Sequence, residues 1–331
     1  MTSRKGLEQA RLRLFANDSF VGCMEKYYNK FSDYLIQRYG EKVWKISLDA
    51  GFSCPNCDEN RREGCIFCRN DSFSLMGSKE HKDIKQQLEQ GILAAQKRFN
   101  VHKYLAYFQS STNTFAPLKV LEATFNQAAD VKDVVGISIA TRPDCLSAGV
   151  IELLDKLTDK LDVWIELGLQ SSHNKTLEKI NRGHTFEDYV QAVEKLQHID
   201  VRICTHIMIG LPGETTADVR LTAKRLAALD THDVKIHPLL ILKGTALANF
   251  YRDKKVRALD LGEYVERAVD FLELLPPDMI IQRLTAEAMR ELLIEPQWCK
   301  NKLRVLGEID AEFKRRGSRQ GVKFERAAVK N

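Results

Sequence analysis

Val43-Trp-Lys-Ile-Ser-Leu48-Asp-Ala-Gly-Phe-Ser-Cys54-Pro-Asn-Cys57-Asp-Glu-Asn-Arg-Arg-Glu-Gly-Cys65-Ile-Phe-Cys68 sets four cysteines directly behind a short apolar run. Val43–Leu48 reads as a β-strand. In a parallel α/β barrel the segment that follows a strand lies on the C-terminal rim, where catalytic groups gather. The spacing C-x2-C-x7-C-x2-C offers soft thiolates that suit a tetrahedral zinc ion or an iron–sulfur cluster equally well.

Outward from this stretch the chain alternates strands with helices. Further strands are predicted at Tyr104–Phe108, Val134–Ile139, Val163–Leu169, Arg202–Met208 and Asp233–Leu239, with a candidate extra strand at Met279–Gln282. Helix-period stretches fall at Ile84–Arg98, Leu118–Ala129, Ala148–Leu157, His173–Ile180, Glu187–Gln197 and Ala217–Leu229, then at Gly262–Leu275, Glu287–Ile294 and Lys302–Arg315. Runs such as Val134-Val-Gly-Ile-Ser-Ile139 are apolar throughout, as expected of parallel strands covered on both faces. Six such units without a Gly-rich dinucleotide fingerprint favour a partial (β/α)6 barrel of the TIM type over a Rossmann sheet. The expected division is a helical N-terminal extension at 1–42, with helices at 7–15 and 23–38, a barrel at 43–295, and a basic C-terminal extension at 296–331.

The 331 residues, 44% hydrophobic and 29% charged, suit a folded globular protein and not a disordered one. No apolar run approaches the roughly 20 residues of a membrane helix, so no membrane partner and a cytoplasmic location are expected. Disulfides are rare in the cytosol, which leaves the clustered cysteines to metal chemistry. Cys23, Cys145, Cys204 and Cys299 are isolated and read as small buried residues. Net charge is +5, and the segment from Lys300 onward carries ten basic against four acidic residues.

The triad Cys54, Cys65 and Cys68, spaced C-x10-C-x2-C, resembles the expanded cysteine motif of the radical S-adenosylmethionine (SAM) group that includes the catalytic subunit of Elongator. The run Lys45-Ile-Ser-Leu-Asp-Ala-Gly-Phe-Ser-Cys-Pro-Asn is similar to the bacterial YhcC/YtqA-type radical SAM proteins, and the resemblance extends over about residues 27–295. It departs from the best-known spacing, C-x3-C-x2-C. The resemblance implies a [4Fe–4S] cluster on three thiolates, with the fourth iron open to SAM. Cys57 stands where such sequences commonly carry arginine. It is either a bystander or an alternative ligand, so the triad 57/65/68 stays beside 54/65/68.

Other rim segments carry further expectations. Phe67 precedes the last cysteine, where radical SAM proteins often set an aromatic beside adenine; core packing is the competing reading. Gln109-Ser-Ser-Thr-Asn113 stands where many relatives have Gly-Gly-Glu, leaving Gln109 or Ser111 to meet the SAM amino group. Arg142, in Thr-Arg-Pro-Asp144, could grip a carboxylate or phosphate in bidentate fashion or form a structural salt bridge. By resemblance Gln170 would address the ribose, Arg182 the SAM carboxylate, and Ile207, Met208 and Gly210 the adenine. His184 is expected to be structural. His206, His237 and Lys235 are candidate substrate-facing groups.

The Elongator-type resemblance implies a tRNA wobble uridine as substrate, and the basic tail could contact phosphates. Tyr27, Tyr28, Phe31 and Tyr34 could stack on bases or pack in the core. No acetyltransferase segment is expected after the barrel. An external electron donor such as flavodoxin or ferredoxin is implied. The alternatives are a zinc-stabilised nucleic-acid-binding module and a radical SAM enzyme acting on a small metabolite or peptide.

Overall fold

The protein was analysed as a computed structural model that describes residues 26–57, 64–69 and 83–325. The predicted helix at 7–15, the start of that at 23–38, Cys23, Arg326 and Lys330 lie outside the described residues. The chain begins with α1 (Phe31–Tyr39) and β1 (Val43–Leu48), followed by α2 (Ile84–Phe99), β2 (Lys103–Phe108), α3 (Leu118–Ala129) and β3 (Val134–Thr141). Next come α4 (Ala148–Thr158), β4 (Asp162–Gln170), α5 (Asn174–Lys179), α6 (Phe186–Leu196), β5 (Arg202–Ile209), α7 (Thr216–Ala227) and β6 (Asp233–Pro238). The last third holds β7 (Ile241–Leu242), α8 (Ala246–Arg252), α9 (Leu261–Leu274), β8 (Ile280–Arg283), β9 (Leu293–Glu295) and α10 (Lys302–Arg316).

Seven strands form one sheet in the order β1-β2-β3-β4-β5-β6-β8, and every neighbouring pair in it is parallel. The architecture is the α/β half-barrel expected from the alternation, with the candidate extra strand joining as a seventh member. The outer face of the sheet is apolar because helices cover it: Leu121 and Phe125 of α3, Leu154 of α4, Tyr189 and Leu196 of α6 and Phe271 of α9 are all buried in the main core. Capping boxes at Thr185/Asp188, Thr215/Asp218 and Asp260/Glu263 fix the starts of α6, α7 and α9 by satisfying N–H groups the helices cannot pair themselves.

Side chains alternate along a strand, so the inner face is built in layers. At the N-terminal end, α1 plugs the half-barrel with Phe31 and Leu35 against Leu105 and Trp164. The Phe31 ring meets the Trp164 ring edge-on at 5.9 Å. Above this apolar floor lies an ionic layer on Glu166, and above that a polar cleft.

Two local expectations are corrected. The helix predicted from residue 23 starts at Phe31, since residues 26–30 run beside β8 through the bridge Lys30–Ile281. In place of the helix predicted at Glu287–Ile294, Leu293–Glu295 pairs antiparallel with β7. That pairing buries Leu242 and Leu293 with Leu240, Ala286 and Cys299, and the gain overrides local helical periodicity. Neither β7 nor α8 was anticipated.

The C-terminal segment is packed against the barrel. Val305, Ile309 and Phe313 of α10 join the main core, and the Phe313 ring stacks on Tyr27 at 5.6 Å. Tyr28 and Phe31 are buried too, so these aromatics serve packing. Arg316 binds Asp270 at 2.7 Å, Glu312 at 2.6 Å and Glu273 at 3.3 Å, while Lys323 also holds Glu273. Arg315 is paired with Glu312 at 2.6 Å. Much of the basic tail is thus matched by carboxylates. Among the described residues no helix is long and apolar enough to cross a membrane.

Candidate active site

The C-terminal ends of the strands surround a cleft of about 220 Å³. Cys54, Cys57, Cys65 and Cys68 all line it. Each C-x2-C pair closes a turn, with the Cys57 N–H donating to Cys54 O at 3.0 Å and the Cys68 N–H to Cys65 O at 2.9 Å. Gly64 has φ of +132°, and a Cβ there would stand 2.9 Å from the Cys57 sulfur, so glycine is what lets the two turns close on each other.

The second turn is pinned from both sides. Ile66 N–H donates to Ile180 O at 3.0 Å and Ile66 O accepts from Leu247 N–H at 2.8 Å, so the unanticipated α8 helps hold the cysteines. Ile66 and Phe67 pack on Leu177, Ile180, Leu211 and Leu247. Phe67 packs in this cluster and also lines the cleft.

Two N–H donors aim at the Cys65 sulfur, Asn56 Nδ2 at 3.5 Å and Arg182 Nη1 at 3.5 Å. Burial, with the neighbouring sulfurs of Cys65 and Cys57, pushes the Cys68 thiol up to about 12. A thiol buried in this way resists ionisation until a cation compensates it. Among the described residues no three Cys, His, Asp or Glu side chains converge closely enough to grip a single metal ion. The donor chemistry and its N–H partners fit an iron–sulfur group.

Arg142 and Arg182 line the same side, but their guanidinium groups hold protein partners. Arg142 grips Asp144 through Nε at 2.9 Å and Nη2 at 2.8 Å, and donates through Nη1 to Arg182 O at 2.7 Å. This is the salt-bridge geometry. Arg182 holds Gly168 O through Nε at 3.2 Å and Nη2 at 2.7 Å. Glycine at 168 makes room, since a Cβ there would meet Arg182 Nη2 at 2.5 Å. His184 Nε2 lies 3.0 Å from the same carbonyl and its Nδ1 3.1 Å from Thr185 O, so it ties the loop down.

Gln109, Ser111, Gln170 and Met208 line the cleft. Ser111 and Gln170 take left-handed backbone conformations, at φ of +64° and +75°. Asn113 clamps the polar loop by donating to Phe108 O, Ser110 O and Ala140 O. Ile207 turns its side chain outward into the core, and Gly210, at φ of +99°, faces Leu259. Neither lines the cleft among the described residues.

Under the cleft sits a carboxylate that the sequence reading passed over. Glu166 is buried and accepts from Ser138 Oγ at 2.5 Å, His206 Nε2 at 2.8 Å, Lys45 Nζ at 3.5 Å and Lys235 Nζ. Burial would raise its pKa, but the Lys235 and Lys45 ammonium groups outweigh that and hold it well below the ordinary range. Lys235, almost wholly buried, also donates to Tyr107 Oη at 3.0 Å, so it belongs to the ionic layer. His206 is held down to about 4, chiefly by burial, and its neutral ring donates to Glu166. His206 and His237 stand 5.4 Å apart, ring to ring, on the cleft wall. Arg283, also unassigned from sequence, completes that wall. Periodicity placed Glu166 on a strand and stopped one residue short of Arg283, but only the curl of the sheet makes the two neighbours of the histidines.

Of the isolated cysteines, Cys204 and Cys299 are buried and Cys145 is half-buried.

Residues 54–226 match the family described as Radical SAM superfamily, and residues 231–315 match the Radical_SAM C-terminal domain. Protein YtqA of Bacillus subtilis (strain 168) is 42% identical over 303 residues, covering 91% of this chain and 94% of that protein. The tRNA uridine(34) acetyltransferase of Methanocaldococcus infernus is 32% identical over 138 residues, 40% of this chain and 25% of that protein. Among solved structures, archaeal Methanocaldococcus infernus Elp3 with an N-terminal deletion shares the fold at a TM-score of 0.65 and 18% identity, over 84% of this chain and 64% of that one. The present chain thus spans less than two thirds of the Elp3 chain.

Proposed function

The chain belongs to the radical SAM superfamily, and on that premise we propose that it modifies the wobble uridine of a tRNA, with Cys54, Cys65 and Cys68 holding the cluster. It is an enzyme of that superfamily and uses a [4Fe–4S] cluster and SAM. When bound, they supply a 5′-deoxyadenosyl radical, made by one-electron cleavage of SAM and able to abstract a hydrogen atom from carbon.

The observation that carries the reading is the pair of N–H donors on the Cys65 sulfur at the mouth of the half-barrel. Such donors stabilise negative charge on a ligating sulfur and orient it. Cys57 lines the cleft without a place in the proposed triad, because a fourth thiolate would close the iron that SAM needs.

Phe67 would flank the adenine, Gln170 the ribose, and Gln109 or Ser111 the amino group that Gly-Gly-Glu meets elsewhere. The strand end at Ile207–Met208 and the turn at Gly210 would offer backbone groups to the adenine. Arg142 would help shape this surface while held on Asp144, and Arg182, held on Gly168 and Cys65, keeps N–H groups that would meet the SAM carboxylate. An external one-electron donor such as flavodoxin or ferredoxin would reduce the cluster.

The tRNA assignment draws on the similarity to the tRNA uridine(34) acetyltransferase. A small-molecule substrate is the second reading, favoured by the carboxylates that pair Arg315, Arg316 and Lys323 of the tail. Anaerobically purified protein should be brown, carry iron and sulfide, and release 5′-deoxyadenosine from SAM when reduced. Zinc without 5′-deoxyadenosine would overturn the enzyme reading. Nucleoside analysis of tRNA from a strain lacking the gene tests the substrate, and an unchanged profile would point to the small-molecule reading.

A further inference from the structure

The cleft has two polar poles. The cysteine thiols and Arg142 influence one another electrostatically, and Arg182 acts on the thiol of Cys68. The rings of His206 and His237 instead feel Arg283 and Lys235. This second pole lies on the wall of β5, β6 and β8, and His206, His237, Gln282 and Arg283 have no role in the cluster or in SAM binding as proposed above.

A register shift creates the pole. In the β6–β8 pairing Val234 stands opposite Ile281, but Lys235 stands opposite Arg283, one residue out of step. Such a bulge can turn two successive side chains to the same face. Gln282 reaches inward to accept from Lys45 Nζ at 3.0 Å, and Arg283 also faces inward to line the cleft.

The donors gathered there are unspent. His237 Nε2 and Gln282 Nε2 are buried and have no hydrogen-bond partner among the described residues. The half-buried Arg283 guanidinium has no ion pair or hydrogen bond with the described residues either. The carboxylates lining the cleft cannot serve it: Glu166 is committed to Lys45, Lys235, Ser138 and His206, and Glu287 at the rim pairs with Lys302 at 3.5 Å. Buried donors are ordinarily satisfied, and leaving several unpaired beside a cation is costly unless something accepts from them. A guanidinium fork flanked by the Gln282 amide N–H and by the His237 ring in its Nε2–H tautomer matches an oxyanion.

We propose that Arg283, His237 and Gln282 form an oxyanion subsite that holds a phosphate or carboxylate of the substrate, at the pole of the cleft away from the cysteines. The subsite rests on the radical SAM reading only in assigning SAM to the cysteine side. It gives the substrate a fixed handle, so that one of its carbons is held for hydrogen abstraction. A nucleotide would present its phosphate and a small acid its carboxylate.

The test is a titration of cluster-reconstituted protein, carrying 15N-labelled histidine, with inorganic phosphate and separately with acetate. A saturable shift of the His237 resonances is expected, with affinity at least tenfold weaker in Arg283→Gln and partly restored in Arg283→Lys. Tighter phosphate binding would support a nucleotide-type substrate, and tighter acetate binding a small acid. Should Arg283→Gln fail to fold, Gln282→Glu replaces it: a carboxylate beside Arg283 should occupy the fork and weaken phosphate at least tenfold. Unchanged affinity in these variants, or no His237 response in the wild type, would overturn the subsite. So would complete displacement of phosphate by SAM, since the oxyanion would then be that of SAM. SAM cleavage by the wild type is measured separately, and its failure would sink the radical reading while leaving the titration to stand alone.

Discussion

Arg182 divides its guanidinium between the Gly168 carbonyl, at 2.7 Å from Nη2, and the Cys65 sulfur, at 3.5 Å from Nη1. One side chain thereby couples the tip of β4 to the cysteine loop.

Disturbing that coupling should weaken the cluster. Arg182→Ala, and Gly168→Ala through the Cβ that would meet Arg182 Nη2 at 2.5 Å, are each expected to lower cluster occupancy or SAM cleavage by about tenfold or more. Iron content and 5′-deoxyadenosine yield read the effect, and full activity in both variants would remove Arg182 from the cluster environment.

Single alanine substitutions sort the four cysteines. Cys54→Ala, Cys65→Ala and Cys68→Ala should abolish the low-temperature electron paramagnetic resonance signal of the reduced cluster, while Cys57→Ala keeps it. If Cys57→Ala loses the signal and Cys54→Ala retains it, the triad is 57/65/68.

Glu166→Gln should be strongly destabilising, because it strands Lys235 and Lys45 inside the barrel without their counter-charge. Breaking a buried pair costs about 3–5 kcal/mol. Urea unfolding of the apoprotein would show it as a lower midpoint at unchanged slope, and a loss below about 1 kcal/mol would mean that the lysines find other partners.

His206 makes stability depend on pH. Its folded pKa of about 4 lies below its unfolded value of 6.5, so the unfolded chain takes up protons first as the medium is acidified. The contribution of His206 is complete above about pH 6.5 and lost as pH falls toward 4. Glu166, also depressed, keeps its contribution down to about its unfolded value of 4.5 and yields only in stronger acid. Unfolding free energy measured between pH 7 and 5 should fall less steeply in His206→Asn than in the wild type.

Arg316→Ala should destabilise the protein by a few kcal/mol, since Asp270 and Glu273 are nearly buried and lose a partner. Binding to tRNA should be unaffected. A large drop in RNA affinity at unchanged melting temperature would restore the tail as a phosphate-binding arm.

Sequence alone determined the alternation of strands and helices and the cysteine spacing, because both are local: apolar runs and ligand intervals repeat along the chain itself. β1 spans Val43–Leu48 and α3 Leu118–Ala129, as periodicity required. Tertiary structure alone decided that Glu287–Ile294 would not be a helix, since burying Leu293 against Leu242 needs a strand from elsewhere in the chain. The same holds for the polar interior. Glu166 and Lys235 lie 69 residues apart, and Arg283 stands beside Lys235 through a register shift no local pattern encodes. Which charges meet inside a curled sheet depends on how its strands pair, and pairing is a property of the whole fold.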